Sequence, residues 1–219
     1  REMSQILNAE AVSDIKQIKT SIDLCLIAVA DSAIETVAKQ LNMSKTLVVH
    51  TSGATSKEVL NRFQNYGVLY PLQSIRKEMQ YIPPVPFLVD ANTIENTHIL
   101  QHLASSTGNE VNTASDEQRL QLHLAAVFCS NFTNHLYALT QEYCAKQNVS
   151  FPLLYPLIKE TAERLQWFGA AELQTGPAIR HDGNTIERHL QLLQSYPHLH
   201  NLYQIFTKSI QDFSNTAHG

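Results

Sequence analysis

The sequence predicts an α/β domain followed by an all-α domain, and three observations carry that prediction. Over residues 22–113, short apolar runs rich in β-branched residues alternate with segments of helical spacing. From residue 115 onward the strand signal vanishes and amphipathic segments follow one another. At the start of that helical part, one unusually apolar stretch, residues 120–137, carries a stripe of polar side chains.

In chain order, residues 1–7 read as the tail of a helix, and Leu24-Cys25-Leu26-Ile27-Ala28-Val29 reads as a strand with no polar face. Continuous apolar runs of this kind suit a parallel sheet covered on both sides, which makes this a middle strand. Further strands are expected at 46–50, 68–70, 86–90 and 110–112. Between them, residues 31–41 and 56–63 have helical spacing, with Asp31 or Ser32 and Thr55 or Ser56 as caps. Pro152, Gly169, Gly176-Pro177, Gly183 and Pro197 punctuate the helices of the second half. The expected domains are residues 1–114 and 115–219, packed closely around their junction, with no repeat, low-complexity tract or long linker.

Composition narrows the function. With 219 residues and 43% hydrophobic content, the chain buries enough surface to fold without staples. Its 16 Lys and Arg against 20 Asp and Glu give a formal charge of -4, which offers no electrostatic case for nucleic acid or an anionic membrane. Cys25, Cys129 and Cys144 are odd in number, widely spaced and set in apolar surroundings, as expected of reduced thiols in a cytoplasmic protein. No run of about 18 apolar residues and no leader pattern is visible.

The candidate chemistry begins with the stripe. At 100° per residue, His123, Ser130, Asn131, Asn134 and His135 fall in one arc of roughly 140° on a helix too apolar for a surface position. Burying such groups without partners costs about 1–3 kcal/mol each, so together they imply a network, a wet cleft or a ligand. A purely structural network at a subunit interface is the competing explanation. In open α/β sheets, ligands bind beyond the carboxyl ends of strands, where this chain has Ala28-Val29-Ala30-Asp31, His50-Thr51-Ser52-Gly53-Ala54 and Tyr70-Pro71-Leu72-Gln73-Ser74. Thr51, Ser52 and Gly53 offer hydroxyls and backbone N–H groups; ordinary strand-to-helix turns would look the same. In the loop Gln174-Thr175-Gly176-Pro177-Ala178-Ile179-Arg180, Arg180 is suited to a carboxylate or phosphate, unless it merely pairs with Asp182 on the surface. Glu160 on an otherwise apolar helix either reaches the cleft or is a solvated charge, the second being the favoured reading. His181, His189, His198 and His200 lack metal-ligand spacing, so no metal is expected.

A dinucleotide fold should open with strand, Gly-x-Gly-x-x-Gly and helix, and that fingerprint is absent. Because the stretch 22–31 reads as a middle strand, the expectation is a Rossmann-like domain lacking its first strand–helix–strand unit.

Several segments carry a family resemblance. They include His50-Thr51-Ser52-Gly53-Ala54, Tyr70-Pro71-Leu72-Gln73-Ser74, Asp116-Glu117-Gln118-Arg119, Leu122-His123-Leu124-Ala125-Ala126-Val127-Phe128 and Asn131-Phe132-Thr133-Asn134-His135-Leu136-Tyr137. With Pro156-Leu157-Ile158-Lys159-Glu160-Thr161 and the loop ending at Arg180, they resemble bacterial proteins named as NADP oxidoreductases. Those proteins join a Rossmann-like domain to a C-terminal helical domain of unknown function. More distantly, the layout is similar to the 6-phosphogluconate dehydrogenase, ketopantoate reductase and pyrroline-carboxylate reductase superfamily. There the helical domain closes the nicotinamide cleft and forms the dimer.

The resemblance implies an NADP- or NAD-dependent oxidoreductase, dimeric through its helical domain, moving hydride between the cofactor and a small carbonyl, hydroxy or imine compound. Where the hydroxyacid and ketopantoate branches use a lysine and an asparagine, this chain offers His123 with Asn131 and Asn134. His123 is the expected general acid/base, because imidazole titrates near neutrality. Asn131 and Asn134 are the expected orienting residues; Gln73, His135 and Arg180 are the expected substrate-binding residues; Ala30, Asp31, Thr51, Ser52 and Gly53 are expected to line the cofactor. A nucleotide-sensing or structural dimer that kept the fold without the chemistry is the rival reading.

Overall fold

The computed structural model describes residues 2–76, 78–79 and 81–217, and divides into two compact units, Arg1–Phe132 and Thr133–Gly219. The first unit is built on five strands: β1 Leu24–Ile27, β2 Leu47–His50, β3 Asn65–Pro71, β4 Phe87–Ala91 and β5 Val111–Thr113. They lie side by side in the order β1-β2-β3-β4-β5. Its helices are α1 Glu2–Ile6, α2 Ile34–Gln40, α3 Ile94–Ser105 and α4 Asp116–Ala126. A Rossmann-like α/β part precedes a helical part, as the sequence predicts.

Strand β2 shows why the sheet forms. All four of its residues are buried: Val48 packs on one face with Ile34, Ala38, Leu41 and Phe63, while Leu47 and Val49 pack on the other with Leu100 and Ala104. That is the alternation of a pleated strand covered on both sides, with α2 over one face and α3 over the other.

Three local expectations need correction. Strands β1, β2 and β3 are parallel and β5 is parallel to β4, but β4 runs antiparallel to β3, with Pro71 opposite Phe87. A parallel return needs a crossover helix; residues 72–86 carry none among the described residues and hold Pro83, Pro84 and Pro86 instead. Strand β1 lies at one edge of the described sheet with Leu26 47% exposed, which does not contradict the expectation of a missing neighbouring unit. The segment at 31–41 opens with a 3-10 turn, Asp31–Ala33, whose N-cap Ala30 makes no side-chain cap bond. The segment after Ser56 is likewise a 3-10 turn, Lys57–Leu60, capped by the Ser56 hydroxyl as anticipated.

The fourth correction concerns α4. It is not the buried rod its composition suggests: Leu120, Leu122 and Leu124 are all exposed. One face of the helix is committed to the sheet through Arg119 and His123, and Leu120 and Leu124, one turn apart, lie off that face. Helix α4 also belongs to the first compact unit, although the sequence boundary at residue 114 assigned it to the helical part.

The second unit consists of α5 Thr133–Lys146, α6 Tyr155–Glu163, α7 Gly183–Leu192 and α8 Pro197–Ala217. Among its described residues only Cys144 and Ala178 are buried apolar positions. Aromatic contacts supply part of its packing: Tyr143 meets Tyr196 edge-on at 5.1 Å, and the Gln147 amide donates to the Tyr196 hydroxyl at 2.7 Å.

Candidate functional site

Strands β1 and β2 end side by side, Ile27 beside His50, and the parallel β3, with Val68 beside His50, runs three residues further to Pro71, so the three loops singled out in the sequence leave one edge of the sheet. Helix α4 runs along the second of these loops. Asp116 accepts from the Ser56 hydroxyl and from the Lys57 backbone N–H at 3.1 Å. Three residues on, Arg119 donates to the Thr55 carbonyl and to the Asp116 carboxylate, both at 2.6 Å. One further turn along, His123 reaches Gly53 and Tyr70.

The electrostatics of this clamp are strong. Arg119 is 1% exposed, and its Nε and Nη1 have no hydrogen-bond partner. Burial pushes the Asp116 carboxyl up, but bonds from Ser56, Arg119 and Lys57, together with the Arg119 charge, outweigh that and hold it below the usual carboxylate range. Lys57 pairs in turn with Asp90 on β4 at 2.5 Å. His50, fully buried, accepts from the Ser52 N–H at Nδ1 and faces the Ser56 carbonyl with Nε2. Burial, opposed by the Ser56 contact and reinforced by nearby Arg119, depresses its pKa to about 4. It is therefore a neutral structural imidazole that shapes the loop.

Above the clamp, the Tyr70 hydroxyl lies 3.1 Å from His123 Nδ1, with the rings edge-on. Burial raises the Tyr70 phenol; Asp31 adds to that and Arg119 opposes it. Gly53 makes the contact possible, since a Cβ there would come within 2.7 Å of the Tyr70 ring and 2.8 Å of His123 Nδ1. The pair borders a cavity of about 310 Å³ whose other polar lining is Gln73, Ser74, Cys129, Ser130 and Asn131. Residues Val127–Phe132 wind as a π-helix. Three consecutive residues span about 200° on an α-helix; in this wider turn Cys129, Ser130 and Asn131 all border the cavity. Rare π-turns of this kind are frequent at functional sites.

Of the expected residues, Gln73, His123 and Asn131 thus share one cavity. Asn134 and His135 open the second unit and are exposed. Arg180 is exposed on the same unit, where Asp182 is occupied in capping α7 through Thr185 at 3.1 and 2.7 Å. Glu160 pairs with Arg164 at 2.5 Å. His189, far from acting in a histidine cluster, meets the Tyr203 hydroxyl at 2.9 Å. Tyr70, Asp116 and Arg119 were missed as site residues. The i, i+3 spacing of Asp116 and Arg119 was the readable signal for the clamp, whereas a tyrosine ending a strand looks like an ordinary strand former.

The cofactor residues divide by environment. The Ser52 hydroxyl is consumed within its own loop, accepting from the Ala54 and Thr55 N–H groups at 3.1 and 3.0 Å, and Gly53 is covered by Tyr70 and His123. Ala30 and Asp31 are exposed and Thr51 half-buried at the same sheet edge, so these three keep surface for a ligand while Ser52 and Gly53 set the loop's shape. That arrangement fits one side of a cofactor lying across the strand ends.

Parallel strands opening onto such an edge, followed by a helical unit, define a two-part Rossmann-like protein. The family model described as "Domain of unknown function (DUF2520)" matches residues 85–210, and the chain belongs to this family. It is 36% identical to a Bacteroides fragilis protein named "putative NADP oxidoreductase", the match covering 97% of this chain and 84% of that one, with a TM-score of 0.87. A Thermotoga maritima protein matches at 22% identity over 100% of this chain and 87% of its own, TM-score 0.77. The 1-pyrroline-5-carboxylate reductase of Streptococcus pyogenes shares the fold at 11% identity over 96% and 84%, TM-score 0.60. No curated protein matches the chain. No helix among the described residues is long and apolar enough to cross a membrane.

Proposed function

We propose that this protein is an NAD(P)-dependent oxidoreductase that moves hydride between nicotinamide and a small carbonyl, hydroxy or imine compound. The observation that carries the proposal is the near full-length likeness to the Bacteroides fragilis protein named for NADP oxidoreduction. The nicotinamide, when bound, supplies or receives the hydride; the chain's residues orient the partner molecule and manage the proton. Ala30, Asp31 and Thr51 flank the cofactor, and Ser52 and Gly53 hold the loop that does so. His123 serves in acid/base transfer, and Gln73 and Asn131 orient a small substrate in the cavity they share with it. The preference for NADP follows that relative's name, and the exposed Leu120 and Leu124 of α4 suit a homodimer.

Calorimetric titration with NADPH and NADH tests the reading, followed by turnover of a panel of small carbonyl compounds. Saturable micromolar binding with turnover is expected, and His123→Asn should lower the rate by roughly 10²–10⁴. Binding without turnover would favour the nucleotide-sensing alternative, and no binding would leave a structural dimer.

A further inference from the structure

We propose that Tyr70, not His123, is the residue that exchanges the proton with the substrate oxygen, with His123 behind it as the relay; this rests on the oxidoreductase reading above. The ground is the contact itself. The phenol oxygen and His123 Nδ1 are 3.1 Å apart, both side chains border the cavity, and both sit on Gly53, where no side chain fits. Among the described residues lining that cavity none is a lysine or arginine, so the proton held between Tyr70 and His123 is the one placed to meet charge developing on a reduced oxygen there.

The hydrogen-bond inventory orders the two groups. A phenol carries one proton, and a neutral imidazole nitrogen either donates or accepts. When His123 is an imidazolium, its Nδ1–H donates to the phenol oxygen, and the phenol proton is free to point into the cavity. When His123 is neutral at Nδ1, the phenol proton is drawn to it and the cavity loses its donor.

Reduction then balances as follows. Hydride adds to the carbonyl carbon, the C=O π pair moves onto oxygen, and that oxygen takes the phenol proton. The phenol oxygen in the same event takes the Nδ1 proton, which leaves an alcohol, a neutral phenol and a neutral imidazole. Oxidation is the reverse. The raised phenol pKa agrees with a relay in which free phenolate does not accumulate. The charged groups that act on the Tyr70 phenol are Asp31 beyond β1 and Arg119 on α4.

The test uses the full chain with NADPH and a small ketone or aldehyde. Tyr70→Phe should lower kcat by roughly 10²–10⁴, with KM and NADPH affinity changed less than about threefold. Because the two groups act in series, Tyr70→Phe combined with His123→Asn should lose no more than the worse single variant. The ¹⁵N signal of His123 Nδ1 should change in Tyr70→Phe, an effect readable without cofactor. Near-wild-type turnover in Tyr70→Phe, or losses that multiply in the double variant, would overturn the relay while leaving the oxidoreductase standing. A wild type that binds neither NADPH nor NADH, with the Nδ1 signal still sensitive to Tyr70, would overturn the oxidoreductase reading and the relay with it.

Discussion

The two units of this chain differ in where their apolar surface goes. In the first, Val48, Val49, Val68, Val89 and Leu100 have no exposed surface at all, and each sheet face has its own cluster. In the second, only Cys144 and Ala178 are buried apolar residues among those described, and Trp167 is 76% exposed. Burying apolar surface stabilises by roughly 25 cal/mol per Å², so the first unit holds a core of its own while the second gains much less from burial among its described residues. A helical unit of that kind gains stability by meeting another surface, which is how an assembly partner and a fold become coupled.

Truncating the sheet core gives the largest expected effect. Leu100→Ala, at a fully buried position, should cost about 2–5 kcal/mol in urea unfolding; a loss under about 1 kcal/mol would mean that the clusters are not the seat of stability. Acid should come next. His50 stays neutral in the fold down to about pH 4, whereas an unfolded histidine takes up a proton near 6.5. Its contribution is fully present above pH 6.5 and is lost as the pH falls towards 4, an expected decline of up to about 3 kcal/mol. Asp116, held below the usual carboxylate range, loses its contribution in the same direction at lower pH. Urea midpoints measured across that range should flatten between pH 6.5 and 4 in His50→Gln. The smallest change is expected in the second unit, where Trp167→Ala should alter the stability of dilute protein by less than about 0.5 kcal/mol. If it proves as costly as Leu100→Ala, Trp167 is covered in solution, and the concentration dependence of Tm would show by what.

The same contrast explains what the sequence revealed. Strands such as β2 were legible because a short β-branched run like Leu47-Val48-Val49, bounded by polar residues, suits a strand covered on both faces. The direction of β4 was not, since an apolar run reads the same both ways; Pro83, Pro84 and Pro86, which deny a crossover helix, were the available clue. The composition of α4 announced burial without saying what provides it, and Leu120 and Leu124 are exposed in this chain. The His123, Ser130 and Asn131 part of the stripe was legible and shares a cavity, whereas the π-turn that places Cys129 beside them leaves no composition signature. Tyr70 was hidden by being ordinary.

Gly53 touches no substrate in any step above, yet it is the position with the fewest options. Every other amino acid brings a Cβ, and a Cβ here would lie 2.7 Å from the Tyr70 ring and 2.8 Å from His123. The alphabet at residue 53 therefore has one letter, and a single-nucleotide change that leaves the fold intact can still silence the site by wedging two rings apart.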